Sequence, residues 1–136
     1  MRPLLWILLA TAATLALSCG DTDPSRPQPP RDPVPGWLQV RLNSPYTDDG
    51  GIMFSVRGGQ VDSIRSAYSD LFTSQVDSTS IRVIVAGDLS SGVIVAEILV
   101  PDMESSANYL ATVEQVAARE TFLQREASGF SLAVER

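Results

Sequence analysis

Three stretches of the chain alternate between hydrophobic and polar residues, as strands with one buried face do. They occupy residues 38–43, 52–57 and 130–135. Each stretch has a glycine-containing turn signal beside it, so all three are predicted to be β-strands. The turn signals lie at residues 48–51, 58–59 and 128–129.

The centre of the chain is more apolar. Residues 81–86 and 93–100 are nearly continuous hydrophobic runs rich in valine and isoleucine, separated by a glycine-bounded loop at residues 87–92. Such runs are typical of strands buried on both faces. They predict two adjacent strands in the middle of the core, the second ending at Pro101.

Two further windows fit a helix or a strand. Hydrophobic residues at helical spacing occur at residues 61–72 and again at 109–117, the second behind the candidate N-caps Ser105 and Ser106. Strands are favoured in both, because a sheet with one apolar face is most simply covered by a second sheet. The predicted fold is an all-β antiparallel sandwich of about seven to eight strands. The alternative is an α+β fold with a helix near residues 105–119.

The first 18 residues are typical of a secretory signal peptide. Met1 and Arg2 form a short positive region, followed at residues 4–17 by an uninterrupted run of apolar or small residues. A helix of that length spans about 21 Å, less than the roughly 30 Å hydrocarbon core of a bilayer. This segment is therefore predicted to direct export rather than to span a membrane.

The sequence LALSC at residues 15–19 resembles the lipobox of bacterial lipoproteins. The resemblance implies cleavage between Ser18 and Cys19 and lipidation of Cys19. Gly20 replaces the aspartate that retains some lipoproteins in the inner membrane, which favours an outer-membrane location. The alternative is an ordinary secretory signal with an incidental Cys19. Against it, Cys19 is the only cysteine of the chain and has no disulfide partner within it.

Residues 19–36 are predicted to form the lipidated cysteine and a tether. Six of the 17 residues at 20–36 are proline, which favours an extended polyproline II conformation with a reach of roughly 50 Å. A proline-rich ligand for another protein is the alternative reading of this segment. The remaining 100 residues, 37–136, are expected to form one β-sandwich domain.

The composition excludes several functions. The ten basic residues are all arginine, and the chain contains no histidine and no lysine. It therefore has no Schiff-base lysine and no histidine to activate a serine or bind a metal. The net charge of −6 and the scattered arginines argue against nucleic acid as a partner. No cofactor is expected.

The stretch from residue 81 to residue 100 resembles the central hairpin of sandwiches of the cohesin and carbohydrate-binding-module type. There, too, an apolar strand, a glycine loop and a second apolar strand follow one another. The resemblance covers about a fifth of the domain, and no binding residue is carried over with it. It therefore bears on the fold alone.

Candidate sites are few. Residues 48–51 offer two carboxylates for Ca²⁺, but their spacing does not fit an EF-hand loop and a plain turn is favoured. Asp88, Glu97 and Asp102 could supply the carboxylate pair of a glycosidase. Trp37 and Tyr46 could stack on a sugar ring together with Tyr68 and Tyr109. The residues selected as possible ligand contacts are Trp37, Tyr46, Asp48 and Asp49, and no metal site is predicted.

Together these observations predict a non-enzymatic lipoprotein, held on the cell envelope by its lipid, that displays a small recognition or envelope-structural domain. The expected partner is an envelope protein or a polysaccharide. The alternatives are a carbohydrate-binding module and a small glycan hydrolase that depends on carboxylates.

Overall fold

The computed structural model describes residues 27–136. Of these, Arg31–Arg136 form one compact unit. The predicted signal segment lies outside the described residues together with Ser18 and Cys19, so the lipidation of Cys19 remains a prediction. Along residues 27–136, no helix has the length and hydrophobicity needed to cross a bilayer.

Nine strands and two short 3-10 helices make up the described part of the chain. The strands are β1 Gly36–Asn43, β2 Asp49–Arg57, β3 Ser63–Arg65, β4 Asp70–Asp77, β5 Ser80–Leu89, β6 Ile94–Val100, β7 Leu110–Ala118, β8 Gln124–Arg125 and β9 Ser131–Glu135. The 3-10 helices are η1 Met103–Asn108 and η2 Ala127–Gly129. The first sheet has the order β3-β6-β1-β9 and the second the order β4-β5-β2-β7-β8. All strand pairs are antiparallel.

The hydrophobic core lies between the two sheets. The alternating side chains of β1 and β2 enter it, and β9 closes it with the partly buried Leu132 and Val134 behind Phe130. The three strands predicted from alternation are therefore confirmed, and so is the all-β antiparallel sandwich. The largest fully buried side chains are Phe54, Leu38, Leu42, Ile52, Leu89, Ile98, Val40, Val56, Val83, Val85, Val95 and Val100.

The prediction that residues 81–86 and 93–100 form adjacent strands is wrong. β5 pairs with β2 and β4 in the second sheet, whereas β6 pairs with β1 and β3 in the first. The intervening loop carries the chain from one sheet to the other and is tied to β1, since the Gly92 amide donates to the Leu42 carbonyl at 2.7 Å. Both runs are apolar because each strand contributes to the shared core, and hydrophobicity alone does not tell which sheet a strand joins.

The turn predicted at residues 48–51 is displaced toward the N-terminus. β2 already begins at Asp49, and its pairing shifts register between Asp49 and Gly51 on both sides. A Cβ atom on Gly50 would lie 2.4 Å from the Cα of Arg119. The glycine is thus required by the close approach of Arg119, the residue that follows β7, rather than by a reversal of the chain.

The helical alternative for residues 105–119 is wrong. η1 ends at Asn108, its N-cap is Asp102 rather than Ser105 or Ser106, and the rest of the window is β7. The helical spacing arises from a bulge: Met53 pairs with Gln115 and the next residue, Phe54, pairs with Val113. Glu114 is the extra residue, so the core side chains fall at Val113 and Val116, three apart, as they would in a helix.

The window at residues 61–72 forms no helix either. It contains β3 and the beginning of β4, which belong to different sheets. The preference for strands in both windows is confirmed.

The last residues of the predicted tether lie against the sandwich. The Val34 amide donates to the Asp102 carboxylate at 3.2 Å, and the Val34 carbonyl accepts from the Met103 amide at 2.8 Å. Arg31 adds a salt bridge to Asp102 at 2.9 Å. The compact unit therefore begins before Trp37.

Candidate functional site

One end of the sandwich gathers three of the four residues predicted as ligand contacts. Tyr46 and Asp48 lie on the connection between β1 and β2, and Asp49 is the first residue of β2. Arg125 of β8 joins them from 76 residues further along the chain. Its position follows from the pairing of Arg125 with Val116, whose side chain is in the core. We call Tyr46, Asp48, Asp49 and Arg125 the arginine cluster.

Asp49 is the centre of the arginine cluster. Its carboxylate is fully buried, accepts a hydrogen bond from the Ser44 hydroxyl at 2.5 Å and forms a salt bridge with Arg125. The Arg125 side chain is itself only 14% exposed. A buried charge needs such partners, because removing a carboxylate from water without them is costly.

Asp48 and Tyr46 complete the surroundings of the guanidinium. Asp48 accepts from Arg125 at 2.7 Å, and this hydrogen bond lowers the pKa of Asp48 below its ordinary value of 3.8. The guanidinium carbon lies 4.0 Å from the centre of the Tyr46 ring, which in turn stacks on Phe130 at 5.8 Å. The Arg125 guanidinium therefore forms two salt bridges and a cation–π contact within the same chain.

A second arginine lies beside the arginine cluster. Arg119 forms a salt bridge with Asp88 at 2.5 Å and donates to the Thr47 carbonyl at 3.2 Å. Its Nε is buried and has no hydrogen-bond partner among the described residues. Because the Asp88 side chain is 75% exposed, this outer pair is screened by solvent and contributes little to stability.

Trp37 lies away from the arginine cluster. It is near the beginning of β1, whereas Tyr46 follows the end of that strand. The guanidinium carbon of Arg65 lies 4.1 Å from the centre of the Trp37 ring, and Arg65 is held there by Glu97 at 2.6 Å. Trp37 and Tyr46 therefore do not form one platform, and each ring already carries an arginine on one face.

The three carboxylates considered for glycoside hydrolysis pair with three different arginines. Asp88 binds Arg119, Glu97 binds Arg65, and Asp102 binds Arg31. Burial raises the pKa of Asp102, but hydrogen bonds from the Val34 amide, the Ser105 hydroxyl and the Glu104 amide outweigh it and lower the pKa overall. Each of these acids is thus paired with a cation, and the lowered pKa of Asp102 is the opposite of what a general acid needs.

The Ca²⁺ interpretation of residues 48–51 gains no support from the geometry. Both carboxylates face Arg125, whose charge opposes that of a cation. Within residues 27–136, no three acidic or cysteine side chains are arranged to hold a metal ion.

The outer face of the second sheet carries an apolar surface that the sequence pattern did not reveal. Phe72, Ile84 and Met53 stand side by side in register on β4, β5 and β2. A groove of about 330 Å³ adjoins Ile84 and Met53 and is also lined by Gly51, Ala117 and Phe122. We call Phe72, Ile84, Met53 and Phe122 the apolar shelf. Phe72 and Ile84 face outward on their strands. In the sequence they are simply apolar residues within apolar windows, so nothing marks them as exposed.

Phe122 combines two unfavourable features. It has a φ of +55° and an exposed fraction of 81%. A bulky residue seldom adopts a left-handed backbone, and a large apolar side chain gains nothing by facing water. Both features identify the apolar shelf as a candidate contact surface.

Comparisons of the chain with protein-family models, with curated proteins and with solved structures give no match. The function therefore has to be argued from the geometry of these sites.

Proposed function

We propose that the chain is an exported protein, anchored to the bacterial cell envelope through lipid on Cys19, and that its β-sandwich binds another envelope protein without catalysis. The anchor is supported by the signal-like residues 1–18 and by the lipobox-like sequence that ends at Cys19. Two or three acyl chains, at about 0.8 kcal/mol per buried CH₂, would hold the protein firmly on a membrane.

The observation that carries the binding function is the apolar shelf. Phe72 and Phe122 are large and mostly exposed, and Ile84 pairs with Phe72 and lines the same groove as Phe122. A surface of this kind favours contact with a protein, because apolar side chains release water when a partner covers them. Charged side chains that could take part in catalysis instead form salt bridges with one another, as Asp49 does with Arg125 and Asp88 with Arg119.

The positions of the aromatic rings, and the arginines that cover them, favour a protein partner over a glycan. Sugar binding usually needs two or three exposed rings in one plane. Trp37 and Tyr46 lie apart and each is covered on one face by a guanidinium. The tether suits a partner outside the membrane plane, since residues 20–30 in polyproline II geometry would reach roughly 34 Å.

The test is to crosslink the anchored full-length protein in its own cells and to identify the products by mass spectrometry. We expect crosslinks to an envelope protein that disappear when the apolar shelf is made polar by Phe122→Ser and Ile84→Ser. In parallel, the purified protein is incubated with cell-wall polysaccharides, and both retention and released reducing ends are measured. Reducing ends that are released by the natural protein and abolished by one acidic substitution would contradict the proposal. Retention without release would replace the protein partner by a sugar.

A further inference from the structure

β4 is the long open edge of the sandwich. Each sheet has two edge strands, and three of these four are short: β3 has three residues, β8 has two and β9 has five. β4 has eight residues and pairs only with β5 among the described strands. One side of its backbone therefore presents amide and carbonyl groups that can pair with a further strand.

The open edge lacks the usual features that prevent strand addition. Between its terminal aspartates β4 reads LFTSQV, without proline, arginine or any other charged residue. Its one irregularity is a register shift between Gln75 and Asp77, at the far end of the strand. Proteins that must keep an edge free commonly place charges, proline or a bulge in its middle, and β4 has none of these there.

The apolar shelf reaches this edge. Phe72 of β4 pairs with Ile84 of β5, which pairs with Met53 of β2. The Phe72 side chain is 63% exposed. A strand added beside β4 would set one of its own side chains against Phe72, as neighbouring residues on one face of a sheet do. Backbone pairing and side-chain burial would then act at the same place.

The charges of the edge point to the chemistry of its partner. The described residues contain eight arginines, and all except Arg57 form salt bridges. No salt bridge within these residues involves Asp70 or Asp77, the two ends of β4. Hydrogen bonds from the amide and hydroxyl of Thr79 lower the pKa of Asp77, so this carboxylate is charged at neutral pH. The middle of the edge thus carries only uncharged side chains, and each end carries a carboxylate. Arg57, which pairs with Ser80 from the other side, partly offsets the charge of Asp77.

We propose that β4 accepts an extended segment of a partner protein as an additional strand, with a basic residue near each end of that segment facing Asp70 and Asp77. The register shift between Gln75 and Asp77 lets β5 cover the edge from Asp70 to Asp77 in six steps, from Ala86 to Ser80. An added strand would cover the same span of about 20 Å in six steps, so the basic residues of the partner should be about six positions apart, on one face of the strand. An apolar side chain between them covers Phe72. This inference rests on the proposed function and specifies the surface and partner chemistry it uses.

A second copy of the chain fits the edge less well. Two β4 strands paired antiparallel in full register would place Asp70 of each copy opposite Asp77 of the other. Like charges directly opposite each other destabilise a strand pair. A segment with basic ends gains from the same two carboxylates, which is why the partner is a different sequence.

The test uses the full lipidated chain in detergent micelles and three seven-residue peptides. One alternates threonine and valine between two terminal arginines, so that its arginines and valines share one face. The second has aspartate at both ends, and the third is the arginine peptide with a central proline. We expect the arginine peptide to bind at least about tenfold more tightly than the aspartate peptide at low salt, with a smaller ratio at high salt. Proline should abolish binding. Bound arginine peptide should slow amide hydrogen exchange in β4.

Two sets of variants locate the site. Phe72→Ser should weaken the arginine peptide about tenfold, whereas the matched Leu110→Ser should not, although Leu110 is also 63% exposed. Asp70→Asn together with Asp77→Asn should remove the preference for arginine ends while the protein stays folded. Equal binding of both charged peptides, no binding of the arginine peptide, or protection outside β4 would overturn the inference. So would a concentration-dependent dimer that protects β4 in the absence of peptide.

The inference and the proposed function can fail separately. If crosslinks to an envelope protein form in cells and persist in the Phe72→Ser variant and in the double asparagine variant, β4 is not the site but the binding function stands. If no crosslink to a protein forms at all, the proposed function itself fails.

Discussion

Replacing Asp49 by alanine should destabilise the sandwich far more than replacing Asp88 in the same way. Both acids bind an arginine at the same end of the second sheet, but Asp49 is fully buried and the Asp88 side chain is 75% exposed. Removing one partner of a buried pair usually costs about 3 to 5 kcal/mol. Arg125 retains Asp48 and some contact with water, so we expect the lower end, about 3 kcal/mol. The exposed pair should be worth about 0 to 1 kcal/mol.

Urea denaturation of the purified domain, followed by tryptophan fluorescence, measures both free energies of unfolding. The domain has about 100 residues, for which each kcal/mol corresponds to roughly 4 to 8 °C in the melting temperature. Asp49→Ala should therefore lower that temperature by roughly 12 to 24 °C, and Asp88→Ala by less than about 8 °C. Asp49→Asn keeps the shape of the side chain and the hydrogen bond from Ser44, so its loss in melting temperature should lie between those of the two alanine variants. A difference of less than about 1 kcal/mol between the alanine variants would refute the argument that burial decides the value of these pairs.

Three further predictions follow from the core, the carboxylates and the anchor. Val83→Ala and Ile98→Ala should each cost about 1 to 4 kcal/mol in urea denaturation because both side chains are fully buried. The outward Ile84→Ala should cost under about 1 kcal/mol, and equal losses at Val83 and Ile84 would contradict the assignment of faces. The pKa values of Asp48 and Asp77 are lowered by hydrogen bonds from Arg125 and Thr79, so their contribution is complete above the ordinary value of 3.8 and is lost as the pH falls through the lower folded values. The melting temperature should therefore stay nearly constant from about pH 7 to pH 5 and drop below about pH 4, and a drop already near pH 6 would point to another group. Cys19→Ala should abolish palmitate labelling and leave an uncut precursor; normal processing of this variant would show that the anchor is not at Cys19.

The sequence predicted the strands better than it predicted their neighbours. Alternation located β1, β2 and β9, because a side chain on one face of a strand is buried and the next is not. It could not tell that β5 and β6 belong to different sheets, since a strand looks the same whichever sheet it joins. Pairing depends on contacts between residues far apart in the chain, and periodicity carries no information about them.

Bulges are the second reason for the errors. The extra Glu114 in β7 shifts the core positions by one residue and imitates the spacing of a helix. The bulge at Gly50 imitates a turn, because the same amino acid serves both a close approach of two strands and a chain reversal. Around one strand, β2, two local irregularities therefore account for the false helix and for the misplaced turn.

In the candidate site, too, neighbours along the chain could be predicted from sequence, whereas a partner far along the chain could not. The sequence suggests Asp48 and Asp49 as carboxylates for a cation and Tyr46 as a ring for a sugar, and these three residues do lie together. Their partner Arg125 was not foreseen, since it is 76 residues away and arrives through the pairing of β8 with β7. Arg125 forms salt bridges with both carboxylates, so the group connects β8 to the beginning of β2.

The acids at the ends of β4 relate the proposed anchor to the proposed partner. Lipid anchoring confines copies of a protein to one surface and raises their encounter rate, so an open edge of eight residues is a liability for self-association. Asp70 and Asp77 oppose pairing in register with another copy and at the same time favour a strand with basic ends. Specificity here requires the repulsive element as much as the attractive one. A charge in the middle of an edge strand disfavours pairing with any other strand, including that of a partner. Charges at the two ends leave the middle of β4 free to pair.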